Sequence, residues 1–249
     1  MAKTREKDWG RFEPIDPDLK HRLIMRSWGW DKTGKNHFGY TMPDPILGLY
    51  FDPGGAEGVA QRFLRGDDGL PVKDIRQIQY RFHKSIDDQS FAIELRDQFI
   101  EDYKHALTIA RSVQWDETET WELFRFAEFG RESGLQRDYG SLNGLYRGLI
   151  QDAYDAGVNL QLIQKVKVKY RNDKATDEMN PQGFQMAGNI VQVSLEHNYD
   201  DSEEGNDRFK VKVVNCRQNT SIWGETFTNL TFPQLGVLVY PETEEGNWE

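Results

Sequence analysis

The chain has 249 residues, 37% of them hydrophobic and 29% charged, enough for a substantial core in one large domain or two small ones. Its formal net charge of -10 excludes a nucleic-acid binder of the whole-surface basic kind, so any contact with DNA has to come from a local patch. No apolar run approaches about 18 residues and the opening "MAKTREKDWGRFEPIDPD" has no hydrophobic centre, which argues against a membrane span or a secretory signal. The single cysteine, Cys216, allows no internal disulfide and fits a reducing, cytoplasmic setting, with the thiol read as a small buried hydrophobe.

In chain order, residues 1–20 read as an irregular arm. "HRLIMRSWGW" (21–30) is a buried strand running into glycines, and "GKNHFGYTM" is a short helix candidate. "DPILGLYFDPGG" (44–55) is a second strand, "GVAQRFL" a helical turn, and "DIRQIQYRFH" (74–83) an additional strand. Residues 88–110 carry a helical apolar face, and 111–130 switch from strand to helix at Asp116. Residues 141–157 form a helix ended by Gly157, and 158–170 read as one strand. "NIVQVSLEHN", "FKVKVVNCRQ" and "LGVLVYP" read as further strands. Helices alternating with short apolar strands predict an α/β fold with a mostly parallel central sheet flanked by helices, and antiparallel strands added at its C-terminal edge. The folded unit spans 21–240, and 241–249 is a polar, acidic tail.

"GWDKTGKNHF" (29–38) matches the phosphate-loop pattern at Gly29, Gly34 and Lys35, with Asn36 where Ser or Thr usually holds magnesium. A strand before the loop and a helix after it are the context such a loop needs. Residues Gly29, Trp30, Asp31, Lys32, Thr33, Gly34, Lys35, Asn36 and His37 are therefore the candidate phosphate-binding segment. Asp116, closing the strand "RSVQW", is the candidate second metal ligand with Asn36; the alternative is an N-cap for the helix that follows. An amide oxygen is a longer metal ligand than a hydroxyl, so weaker or altered magnesium binding is expected. The histidines His21, His37, His83, His105 and His197 show no metal-ligand spacing. Trp28 and Trp30 flank the loop and are candidates for packing near a nucleotide base.

With these segments in this order, the chain resembles the RecA-like P-loop ATPases, and most of all their phage branch of small nucleotide-binding proteins of the AAA-domain type, single-strand annealing proteins or recombinases. "PDPILGLYFDPGGAEGV", "RSVQWDETETWELFRFAEFG" and "DYGSLNGLYRGLI" resemble successive segments of that group, over most of 22–240. The resemblance implies ATP and Mg²⁺ as ligands, Lys35 on the β- and γ-phosphates, Gln164 as the residue sensing the γ-phosphate, and a DNA-contacting loop after it. It implies that Arg217 reaches the ATP of a neighbouring subunit, with Asn215 in place of a second cation, and that the protein self-associates into a filament or ring. RecA places its catalytic glutamate just beyond the second strand. Here that place reads "DPGG", leaving Asp52 and Glu57 as the nearest carboxylates.

The loop after Gln164 holds Lys165, Lys167, Lys169, Arg171 and Lys174 against Asp173, with Tyr170 available to stack on a base of single-stranded DNA. The competing reading is a solvated strand with its lysines on one face. Two functions stand at this point: a DNA-dependent ATPase of recombination or replication, and a nucleotide-binding or structural assembly module without hydrolysis.

Overall fold

A computed structural model describes residues 21–52, 57–82, 88–131, 136–171 and 174–249. The arm 1–20, the residues Pro53, Gly54 and Gly55 of the "DPGG" segment, His83 and Asp173 lie outside the described residues, as do the side chains of Tyr170, Arg171 and Lys174.

Among the described residues the strands are β1 (Ile24–Gly29), β2 (Ile46–Tyr50), β3 (Ile75–Gln79), β4 (Ser112–Asp116), β5 (Asn159–Gln164), β6 (Val166–Arg171), β7 (Lys174–Pro181), β8 (Val193–Tyr199), β9 (Phe209–Cys216) and β10 (Thr226–Thr228). The α-helices are α1 (Lys35–Gly39), α2 (Glu57–Arg65), α3 (Gln89–Ile109), α4 (Glu117–Phe129), α5 (Gly140–Asp155), α6 (Ala187–Ile190) and α7 (Phe232–Val239). Their ends follow local chemistry. The Asp88 side chain caps α3 by accepting from the Phe91 N–H at 3.1 Å. Gly157, just past α5, turns the chain at φ 70° into β5.

Eight strands form one sheet in the order β10-β9-β8-β1-β5-β4-β2-β3. The six from β8 to β3 run parallel, and β9 and β10 add antiparallel at one edge. The chain is thus an α/β fold with a large, mostly parallel mixed sheet. The central strands β4 and β5 are buried along their whole length, as strands covered on both faces must be. Alternation divides their side chains between two cores. Ile24, Leu49, Trp115 and Leu162 face α3, α4 and α5, while Met25, Tyr50 and Ile163 face α1, α2 and α7.

Two features depart from the sequence reading. Residues 158–170 are not one strand. Residues 159–164, "NLQLIQ", are buried on both faces, whereas the alternating lysines that follow cannot enter a doubly covered sheet. The chain leaves at Lys165, and β6 pairs with β7 in a separate two-stranded sheet. "LGVLVYP" is helix rather than strand. Thr231 and Gln234 form a reciprocal capping box, and Pro233 is accommodated in the first turn of α7. Within the C-terminal residues 241–249, which are otherwise mostly exposed, one side chain enters the core. Trp248 is buried against α7, its ring 5.7 Å from Tyr240 and 5.9 Å from Phe232.

Parallel pairing brings strand ends together at one edge. Trp28 lies opposite Gln164, Gly29 opposite His197, and Asp116 opposite Ile163. The loop after β1 therefore meets the carboxyl ends of β4 and β5, where parallel sheets open a crevice.

The inner face of that edge rests on Trp115. It is fully buried, with ring centroids 5.4 Å from Phe99, 5.2 Å from Tyr103 and 5.4 Å from Tyr146. Trp115→Ala is expected to cost about 3–5 kcal/mol, read from the denaturant midpoint. A midpoint like that of the unmodified chain would contradict this packing.

Candidate functional site

The loop between β1 and α1 turns on two close approaches. A Cβ at position 29 would collide with the carbonyl oxygen of His197 on the neighbouring strand, so only glycine lets the backbone pass. Gly34 has φ 87°, and a Cβ there would lie 2.7 Å from the Phe209 ring. Lys32 is also left-handed, at φ 65°. The five-residue α1 is a turn and a half, so its dipole contributes little and the loop geometry carries the site. Gln161 of β5 ties the start of α1 to the sheet, donating to the Lys35 carbonyl at 3.1 Å and to Ser27 Oγ at 2.9 Å.

Lys35 is buried and folded back, its Nζ donating to the carbonyls of Gly29 at 2.8 Å and Trp30 at 2.6 Å. Burial lowers its pKa to about 8, against the opposing pull of Asp31 and Asp116. Across a cavity of 510 Å³ stands Asp116. It occupies the position before α4, but its side chain makes no capping hydrogen bond. The carboxyl lines the cavity instead, and burial, with Asp52 nearby, pushes it up to about 7.

The sequence candidates divide clearly. Asp31, Lys32, Thr33, Gly34, Lys35, Asn36, His37 and Asp116 line the cavity together. The Trp30 side chain is 51% exposed outside it, though its carbonyl holds Lys35. Trp28 is buried. His37 packs 5.4 Å from Phe209 and 5.3 Å from Phe63, and burial lowers its pKa to about 4, so it is neutral. Asp52 reaches the cavity, whereas Glu57 is exposed on the first turn of α2 and does not line it. Gln164 does not line it either; its Nε2 donates to Glu117. Arg217 is exposed beyond β9, bonded through its N–H to the Gln192 carbonyl, at the sheet edge where β1 begins and so opposite the cavity.

Lys165 is drawn toward the loop after β1. It lines the cavity, with Nζ 2.8 Å from Glu119 and 3.2 Å from Asp52. Burial opposes its charge, but the hydrogen bond and charge of Glu119, with Asp116 and Asp52, hold its pKa above the ordinary lysine value. Lys167 is exposed on the β6–β7 hairpin and Lys169 is half-buried. Sequence reasoning missed Arg62 and Phe209 as lining residues; neither belongs to a motif, and only the packing of α2 and β9 brings them in. The finished lining has four cations, Lys32, Lys35, Arg62 and Lys165, against the carboxylates Asp31, Asp52 and Asp116, on a chain of net charge -10. Such a cavity suits a polyanion accompanied by a cation. Among the described residues no three His, Cys, Asp or Glu residues cluster as a metal site, and no helix is long and apolar enough to cross a membrane.

No protein-family model matches the chain and no curated protein matches it, so the reading of the cavity rests on its geometry and electrostatics. One consequence is measurable in the ligand-free protein. Between about pH 4 and about pH 7 the folded chain keeps the Asp116 proton that the unfolded chain has lost, so this group lowers stability as pH rises through that window. Asp116→Asn removes the titration. Unfolding measured across the window should show the variant gaining on the unmodified protein by up to about 1.4 kcal/mol per pH unit. A difference independent of pH would contradict the buried placement of this carboxyl.

Proposed function

We propose that the cavity binds a nucleoside triphosphate with Mg²⁺, ATP in the first instance, and that the chain is a RecA-like protein acting on single-stranded DNA in recombination, annealing or replication. The observation that carries the reading is a buried lysine in a glycine-turned loop, facing a buried aspartate across a locally cationic cavity. The residues fit such a ligand. The loop amides and Lys35 would take phosphate oxygens, and Lys165 and Arg62 add charge along the same wall. Asn36 and Asp116 would hold the metal, which supplies charge neutralisation between phosphates and carboxylate. Asp116 would give up its proton on doing so.

DNA contact is assigned to the β6–β7 hairpin, with exposed Lys167 and half-buried Lys169 on its first strand. Self-association would be head to tail, since Arg217 and the cavity lie at opposite edges of the sheet and a neighbouring copy would bring them together. The chain would work in the cytoplasm, as the phage-encoded proteins it resembles do.

A specific observation favours a second reading, nucleotide binding without turnover. Glu57 is outside the cavity, Asp52 lines it but is paired with Lys165 Nζ at 3.2 Å, and the fully buried Glu117, next to Asp116, has both carboxylate oxygens engaged by Gln164 and the Phe184 N–H. Steady-state ATPase with and without single-stranded DNA separates the two, since DNA-stimulated turnover belongs only to the first.

Binding itself is tested with a fluorescent ATP analogue. Lys35→Ala is expected to weaken it at least about tenfold, the loss of one charged hydrogen-bonding group. Unchanged affinity would overturn the assignment of the cavity.

A further inference from the structure

Glu117 follows Asp116 directly, yet it serves the other face of the sheet edge. Its carboxylate is fully buried. One oxygen accepts from Gln164 Nε2 at 2.7 Å and the other from the backbone N–H of Phe184 at 2.6 Å. Gln164 is the last residue of β5, just before the β6–β7 hairpin, and Phe184 lies just after it. Both roots of the hairpin therefore converge on one carboxylate. Gly183, at φ 89°, makes the approach possible, because a Cβ there would collide with the Glu117 oxygens.

The next two residues of α4 reinforce the grip. Thr118 Oγ1 accepts from the Lys165 N–H at 2.9 Å, and the Lys165 carbonyl accepts from the Gln182 N–H at 2.8 Å. The Glu119 carboxylate holds Lys165 Nζ, which also reaches Asp52 in the cavity wall. Gln164 Oε1 is buried with no hydrogen-bond partner, so its amide is fixed through the Glu117 contact alone. One helical turn thus joins the cavity, through Asp116 and Lys165, to both ends of a hairpin that has left the main sheet.

We propose that Glu117 is a positioning residue that couples occupancy of the cavity to the conformation of the β6–β7 hairpin. The proposal rests on the reading of the cavity as a nucleotide site. A polyphosphate competes with Glu119 and Asp52 for Lys165, and a metal draws on Asp116. Both act on the junction of β4 and α4, and Glu117 passes the displacement to the two hairpin roots. A ligand shifts such an element only through different contacts in its two states, and the exchange of Lys165 partners supplies that difference.

Hydrogen exchange on the full chain, with and without Mg²⁺ and ATPγS, tests it by reading two segments separately. In the unmodified protein, protection is expected in 29–36 and a change in exchange across 164–184. Glu117→Ala removes both acceptors, leaving Gln164 Nε2 and the Phe184 N–H without their shared partner, and is expected to keep the protection in 29–36 while losing the response in 164–184. Gly183→Ala breaks the same contact from the hairpin side, leaves α4 intact, and should lose the response equally, which keeps the test open if the first variant folds poorly. A hairpin response of full size in either variant would overturn the proposal. Protection of 29–36 in the unmodified protein without any hairpin response would overturn it while leaving the nucleotide site standing. No protection of 29–36 would overturn the nucleotide reading, and the coupling with it.

Discussion

The site depends on how closely the chain leaving β1 can lie against its neighbours. Gly29 passes the His197 carbonyl of β8 at a distance that no side chain allows, and Gln161 of β5 pins the start of α1 from the other side. Those two contacts set where the loop turns, hence where Lys35 sits and which way the amides of 33–36 face. The parallel register does the rest, because it carries Asp116 and Lys165 to the same edge without any contact between the segments in sequence. A widening between β1 and either neighbour would disperse the cavity even with every lining residue unchanged.

Burial then gives these side chains their chemistry. Lys35 and Asp116 are each displaced from ordinary proton affinity toward neutrality, the lysine downward and the aspartate upward. His197, fully buried beside this edge with both ring nitrogens unpartnered, is lowered to about 3 by burial and by Lys35. A site in this condition gains from a ligand that brings opposite charge to each group. A magnesium-bound polyphosphate would do so, anion to the lysine and cation to the aspartate. Lys165 connects this chemistry to the rest of the molecule, since it stands in the cavity wall and at the root of the hairpin at once.

The strands and helices from 21 to 164 were legible because apolar runs there alternate with caps and glycines, and the motif residues from Asp31 to His37, with Asp116, came together as the spacing implied. The β5–β6 break was hidden because "KVKVKY" continues the period of a strand; only the burial of "NLQLIQ" on both faces shows that the lysines must leave the sheet. The same break brings Lys165 into the cavity wall, a place that its position in the lysine run did not show. The helix at 232–239 carried its own signal, the Thr231–Gln234 capping box with Pro233 in the first turn, overridden by the β-branched look of "LGVLVYP". Arg62 and Phe209 had no local signal, since their place depends on long-range packing. Glu117 was visible beside Asp116, but its tie to Phe184 spans 67 positions and no spacing rule reaches that far.

We propose above all that this edge of the sheet holds a magnesium-bound nucleoside triphosphate. A structure determined with Mg²⁺ and ATPγS tests it most directly. Phosphate oxygens are expected against the backbone amides of 33–36, with Lys35 Nζ moved from the Gly29 and Trp30 carbonyls onto the phosphates and the metal beside Asp116. A nucleotide bound elsewhere on the molecule, with Lys35 still folded onto those two carbonyls, would contradict it.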